Sequence, residues 1–233
     1  MLEETLKTGF AAMGLSADAQ TLARFRRYYA ALEETGRVMN LTAIHGEEAV
    51  ARLHFLDSCA PLTRCALDGA RVIDVGTGAG FPGLPLKLLC PGMDLTLLDS
   101  LAKRLGFLRA LCDELGLVGV ETVHARAEEP GARRERYDFA LSRAVARLNL
   151  LCELCLPYVR VGGRFLALKG PGADGEMAEA ERAIETLGGR VEGVFPYALP
   201  GGDDDHRLVV VEKCRPTPRG YPRKFAVMKK SPL

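Results

Sequence analysis

From Arg71 to Lys213 the chain alternates short apolar runs with amphipathic ones, and then the alternation stops. That order restricts the fold more than any other feature. The runs "RVIDVG" (71–76), "DLTLLDS" (94–100), "VETVHAR" (120–126), "YDFALSRA" (137–144) and "RFLALKG" (164–170) read as strands. Helical patterns separate them at 83–90, with Pro85 in the first turn, and at 102–116, 148–159 and 175–188. Strand and helix in alternation predict a parallel, doubly wound sheet. The last two runs, 191–199 and 206–213, have only a loop between them. Without a crossover helix they must pair antiparallel.

The N-terminal part has a different rhythm. Residues 2–13 and 17–39 read as helices, the second with Leu22, Phe25, Tyr29, Leu32 and Met39 on one face. Ser16 is a plausible N-cap, and a further helix is expected from about Glu47. The chain therefore divides into a helical extension (1–62), an α/β domain (63–213) and a basic, proline-rich arm (214–233) expected to be irregular. A length of 233 residues suits one α/β domain with an appendage.

Net charge is only +1, so position matters more than total. Lys213, Arg215, Arg219, Arg223, Lys224, Lys229 and Lys230 occupy the last segment with no acid among them. A nucleic acid partner is sought there, the alternative being a solvated arm. The seven cysteines are odd in number and scattered, which suits reduced thiols and a cytoplasmic setting. Cys152 and Cys155 form a C-x-x-C with no second pair or histidine close in sequence. They read as core-facing helix residues, and no metal is expected. No apolar run reaches the roughly 18 residues that span a bilayer, and Glu3, Glu4 and Lys7 argue against a signal peptide, so no membrane partner is expected.

The stretch "IDVGTGAGFPGLPL" (73–86) joins a strand to a helix, the context in which a glycine pattern has meaning. Gly76, Gly78 and Gly80 let a ligand approach the backbone, and the helix after them offers free N–H groups. Asp99, at the end of the next strand and 19 residues after Gly80, suits the two hydroxyls of a ribose. That acid fits either NAD or S-adenosylmethionine (SAM). Three points favour SAM. The spacing is G-x-G-x-G, with Phe81 where a dinucleotide loop needs glycine. Asp74 precedes the loop, placed to meet an ammonium. The antiparallel ending belongs to the Rossmann-like class I SAM-dependent methyltransferase fold, a mostly parallel seven-stranded sheet with an antiparallel last strand. A Walker loop is excluded, since no Gly-Lys-Ser/Thr follows. A tight turn with no ligand is the remaining alternative.

Together, "DVGTGAGFPGLPL", "LLDSLAKRLGFL", "LSRAVARL", "GGRFLALKG" and "NLTAI…HFLDS" give the chain a resemblance to the small-subunit ribosomal RNA guanine-N7 methyltransferases, RsmG, formerly GidB. The match runs from about Asn40 to Lys213. The resemblance implies methyl transfer from SAM to N7 of one guanine, number 527, in the 530 loop of 16S rRNA, by a monomer acting on the rRNA or small subunit. It implies cofactor contacts from the backbone at Gly76 and Gly78, from Phe81, and from Asp99 at the ribose. Ala127 and Glu128 are implied beside the adenine, and Arg143 near cofactor and base. Two departures stand out. Leu53 replaces the basic residue usual before the histidine of "HFLDS", with Arg52 one position earlier, and the tail "YPRKFAVMKKSPL" has an unusually apolar middle.

Guanine N7 carries a lone pair and no proton, so the reaction needs alignment and no general base. Arg143, at a strand end, is placed to hold the cofactor carboxylate or guanine O6, or else is a surface arginine. Lys169 is a phosphate contact or a solvated lysine. His54 and Asp57 read as local structure, and His45, His124 and His206 show no metal spacing. Arg219, Arg223 and Lys224 are RNA-binding candidates, with Tyr221 and Phe225 beside them to stack on bases. The rival readings are a SAM enzyme acting on another RNA, a small molecule or a protein, an NAD(P)-binding oxidoreductase, and an RNA-binding factor without activity.

Overall fold

The computed structural model describes residues 1–37, 39–143, 146–202 and 205–233. Seven strands, β1 (Arg71–Val75), β2 (Asp94–Asp99), β3 (Val120–His124), β4 (Tyr137–Arg143), β5 (Val159–Lys169), β6 (Gly189–Tyr197) and β7 (His206–Lys213), form one sheet in the order β3-β2-β1-β4-β5-β7-β6. The pairs from β3 through β5 are parallel, and β7 runs antiparallel to both β5 and β6. The expected ending is therefore present, with β7 inserted between its neighbours. The order reverses between β1 and β4, where the strand ends leave a crevice for a ligand.

Period-two alternation sorts the strand residues onto two cores. Val72, Leu95, Leu97, Leu141 and Leu166 face one side; Ile73, Leu98, Ala140, Phe165 and Val209 face the other. The first core is covered by α5 (Gly83–Leu89) and α6 (Ala102–Leu115), and by the N-terminal helices α1 (Leu2–Ala12) and α2 (Ala19–Gly36). Leu2, Leu6, Phe10, Phe25 and Tyr28 belong to it, so the extension shares the core of the sheet. The second core is covered by α7 (Leu148–Cys155), α8 (Ala173–Thr186) and Met228 of the C-terminal helix α9 (Phe225–Lys230). Cys152 and Cys155 lie fully buried in it, as helix residues facing the core.

Several local expectations are corrected. Asp18, not Ser16, caps α2, its carboxylate accepting from the Thr21 N–H at 2.7 Å. That helix ends at Gly36, short of Met39, and residue 38 of the expected span lies outside the described residues, as does residue 144 of the expected fourth strand. Helix α7 stops at Cys155 because Pro157 follows, and β5 starts early at Val159. The arm is not wholly irregular: its apolar "FAVM" opens α9 and buries Met228. The helix expected from Glu47 begins there as α3 (Glu47–Val50), but passes through a π-helical segment, Ala51–Leu56, before α4 (Asp57–Cys59). A π turn widens the helix and loosens its carbonyl pairing.

Candidate active site

A cavity of about 540 Å³ opens at the C-terminal ends of β1, β2 and β4. Its floor is the glycine loop, tied down by the Gly76 and Thr77 N–H groups, which both donate to the Leu98 carbonyl. All three loop glycines have positive φ. Their roles differ. A Cβ at Gly78 would meet no atom closer than 4.0 Å, so that position faces open space where a ligand can lie against the backbone. A Cβ at Gly80 would come within 2.5 Å of the Tyr28 hydroxyl and 2.8 Å of Leu84. Packing against α2 and α5 therefore requires glycine at position 80. Tyr28 donates to the Ala79 carbonyl at 2.6 Å, fastening the extension to the loop.

Asp99 lies on the cavity wall. Its Oδ2 accepts from the Gly78 N–H and its Oδ1 from the Leu101 N–H, both at 2.9 Å. Each carboxylate oxygen keeps a second lone pair for a hydroxyl donor. Arg104 stands 3.6 Å away. Ala127 and Glu128 line the same cavity, with Ala125 and Leu98, and Phe81 lines its other end. Asp74 does not line the cavity, and the expectation that it meets a ligand ammonium is corrected. It is completely buried, and its Oδ2 accepts from the Thr77 hydroxyl and the Gly83 N–H, closing the loop onto α5. Its Oδ1 has no partner among the described residues. Burial raises its pKa to about 6.

Arg143 ends β4 with its side chain 12 % exposed. The π-helical segment turns carbonyls and side chains toward it. Its guanidinium donates to Asp57 at 2.8 Å, to the Leu53 carbonyl at 3.1 Å and to His54 Nδ1 at 2.9 Å, and lies 4.9 Å above the Phe81 ring. A guanidinium only donates, so His54 Nδ1 is the acceptor and Nε2 carries the proton. Nε2–H then donates to the Thr42 hydroxyl at 2.6 Å, which also accepts from the Ile44 N–H. Both lone pairs of Thr42 are occupied, and its own proton remains to be donated; the residue lines the cavity. His54 also stacks on Phe81 at 4.4 Å. Burial and the Arg143 cation lower its pKa to about 4. Asp57 accepts from Tyr197 and faces His206 at 3.3 Å. Burial pushes its pKa up, but hydrogen bonds from His206, Arg143 and Tyr197 outweigh that and hold it below the ordinary value.

His54 and Asp57 thus do more than join the extension to the domain: they orient Arg143. No periodicity in the sequence announces a π turn, so that signal was absent. A second cavity, about 270 Å³, is lined by Leu53, Asp57, Arg143, Lys169 and His206, among others. His54 and Arg143 belong to both cavities. Lys169 is not a solvated lysine; it pairs with Glu176 at 2.8 Å and donates to the Ala146 carbonyl. Arg52 donates to the Pro200 carbonyl at 3.1 Å.

Arg223 is also corrected. Its side chain grips Glu153 of α7 with hydrogen bonds of 2.6 and 2.8 Å, so it is not available to phosphates. Arg219 and Lys224 are exposed.

The residues present fit SAM. The cavity is within the range of ligand sites, mixes apolar wall with polar ends, has open backbone at Gly78, and holds a carboxylate with spare lone pairs. With this sheet order it defines a class I SAM-dependent methyltransferase. A solved structure, TrmN from Thermus thermophilus, shares 25% sequence identity with a TM-score of 0.50, over 63% of this chain and 44% of that one. The family model for GidB, rRNA small subunit methyltransferase G, matches residues 21–198, and the chain belongs to that family. Ribosomal RNA small subunit methyltransferase G of Lactobacillus johnsonii is 45% identical over 100% of both chains. The protein of that name from Carboxydothermus hydrogenoformans is 44% identical, again over 100% of both.

Proposed function

We propose that the chain methylates N7 of a single guanine in the 530 loop of 16S rRNA, with SAM held in the larger cavity. The observation behind this reading is the junction of two cavities at Arg143 and His54. One suits the cofactor. The other would take a base drawn out of its stack, beside the cofactor. Held in the larger cavity by Asp99 and the Gly76 and Gly78 backbone, SAM would supply an electrophilic methyl group for a nucleophile that has its lone pair free.

The residues at the junction act by positioning. Asp57 and the Leu53 carbonyl fix the Arg143 guanidinium, and Arg143 lines both cavities. Thr42 offers a proton to an acceptor. The His54 imidazole has both nitrogens engaged and cannot take a proton from a substrate. The arrangement therefore favours a nucleophile that arrives with its lone pair free, as N7 does. Asp99 and the Gly76 and Gly78 backbone hold the cofactor, with Phe81, Ala127 and Glu128 around it. The enzyme acts as a cytoplasmic monomer on rRNA or the small subunit, and needs no metal because N7 requires no activation.

The test is incubation with labelled SAM and small subunits from cells lacking this activity, followed by chemical cleavage at N7-methylguanine. Label at one guanine of the 530 loop is expected. Label elsewhere in the RNA, or none while SAM binds by calorimetry, would overturn the substrate assignment.

A further inference from the structure

The apolar "FAVM" of the arm is the sequence feature that the reaction leaves unexplained. The arm is bound to the body of the protein by buried charge. Glu153 of α7 is 1 % exposed and accepts from the Arg223 backbone N–H, Nε and Nη2. Arg134 donates to the carbonyls of Thr217, Pro218 and Tyr221. Lys213 is wholly buried and donates to the Leu156 carbonyl at 2.7 Å. Met228 is buried in the core shared with α7, and Leu233 packs against that core. An arm held this firmly has a fixed position, and that position delivers Phe225 to the larger cavity.

Phe225 lines this cavity together with Leu154, the neighbour of Glu153. The Arg223–Glu153 pair therefore sets the register of Phe225 against Leu154. The lining of the cavity is mixed in chemistry. Arg143, His54 and Thr42 form one hydrogen-bonded group in it. Leu154 belongs to the second core and Ala125 and Ala127 pack against that core; with Phe225, Arg126 and Glu128 they also line the cavity. The charged amino-acid portion of SAM would be held on the Arg143 side, and the flat adenine against Ala127, Leu154 and Phe225. Phe225 is 38 % exposed, so its ring has surface left for a ligand.

We infer that Phe225 is a cofactor-binding residue, an aromatic wall against which the adenine of SAM packs, and that the C-terminal arm is part of the cofactor site. This rests on the assignment of the larger cavity to SAM. A base–aromatic contact has the geometry tolerance and strength to matter here, and a partly exposed ring can be replaced without opening the core.

The experiment is calorimetric titration of the full-length chain with SAM and with S-adenosylhomocysteine. Phe225→Ala is expected to weaken both by about tenfold, the scale of one base–aromatic contact, and Phe225→Tyr to restore binding. Glu153→Gln, which loosens the latch, is expected to give a similar loss, and the double variant no further loss, since both act through one contact. Val227→Ala, on the exposed side of α9, is expected to bind as wild type. Wild-type affinity in Phe225→Ala with an unchanged circular dichroism spectrum would overturn the role of Phe225 alone. Failure of the wild type to bind SAM would overturn the cavity assignment, and this inference with it.

Discussion

His54 joins the site's geometry to its stability. Its pKa is about 4 against an ordinary 6.5, because burial and the Arg143 cation disfavour the charged ring. Between those values the unfolded chain binds more protons than the native one, so stability conferred by the neutral ring is present above 6.5 and lost as pH falls toward 4. Asp74 acts in the opposite sense. Its raised pKa of about 6 means that its contribution is present below the unfolded value and lost as pH rises through 6. A difference measurement separates the two. Urea midpoints of wild type and His54→Gln, taken at pH 7 and pH 5, should show the wild type losing about 2 kcal/mol more on acidification. Equal losses would mean that the imidazole is not held neutral. At this scale the sequence was uneven as a guide. Asp99 was legible, because a strand end and a glycine loop fix where an acid must stand. The buried position of Asp74 was not, because the strand pattern alone does not say which groups of the next helix will reach its carboxylate.

At the scale of elements, the helical extension and the glycine loop act together. Tyr28 of α2 bonds to the Ala79 carbonyl and lies stacked on Phe81 at 5.4 Å, while Gly80 leaves room for its hydroxyl. Tyr28→Phe keeps the ring and strands the carbonyl, so it should cost about 1–2 kcal/mol in chemical denaturation and weaken SAM severalfold by calorimetry. Unchanged SAM affinity with reduced stability would show that the loop does not depend on α2. The strands and helices of the α/β part were readable from alternation and period. The π-helical segment, the start of β5 and the small helix of the arm were not. Each is set by packing across the chain: Arg143 against 51–56, β4 against β5, and Met228 against α7.

At the scale of the molecule, the arm divides its charges between two tasks. Arg223 holds the arm to α7, while Arg219 and Lys224 stay exposed. Replacing Arg219 and Lys224 together by glutamine should make the log–log dependence of RNA affinity on salt shallower by up to about two, one for each phosphate no longer neutralised. An unchanged slope would place the RNA path elsewhere. By itself the sequence determined the fold class, the glycine loop, the acid at the end of the second strand and the family, because these follow from local periodicity and from residue types at fixed spacing. Only the tertiary structure decided which loop glycine faces open space and which is packed against a helix. It also decided that Arg143 is held by residues some 90 positions away, and that an arm rich in positive charge is latched by one arginine and presents an aromatic ring to the larger cavity. Those outcomes depend on pairing between distant segments, and a linear pattern does not encode which buried partner each side chain will meet.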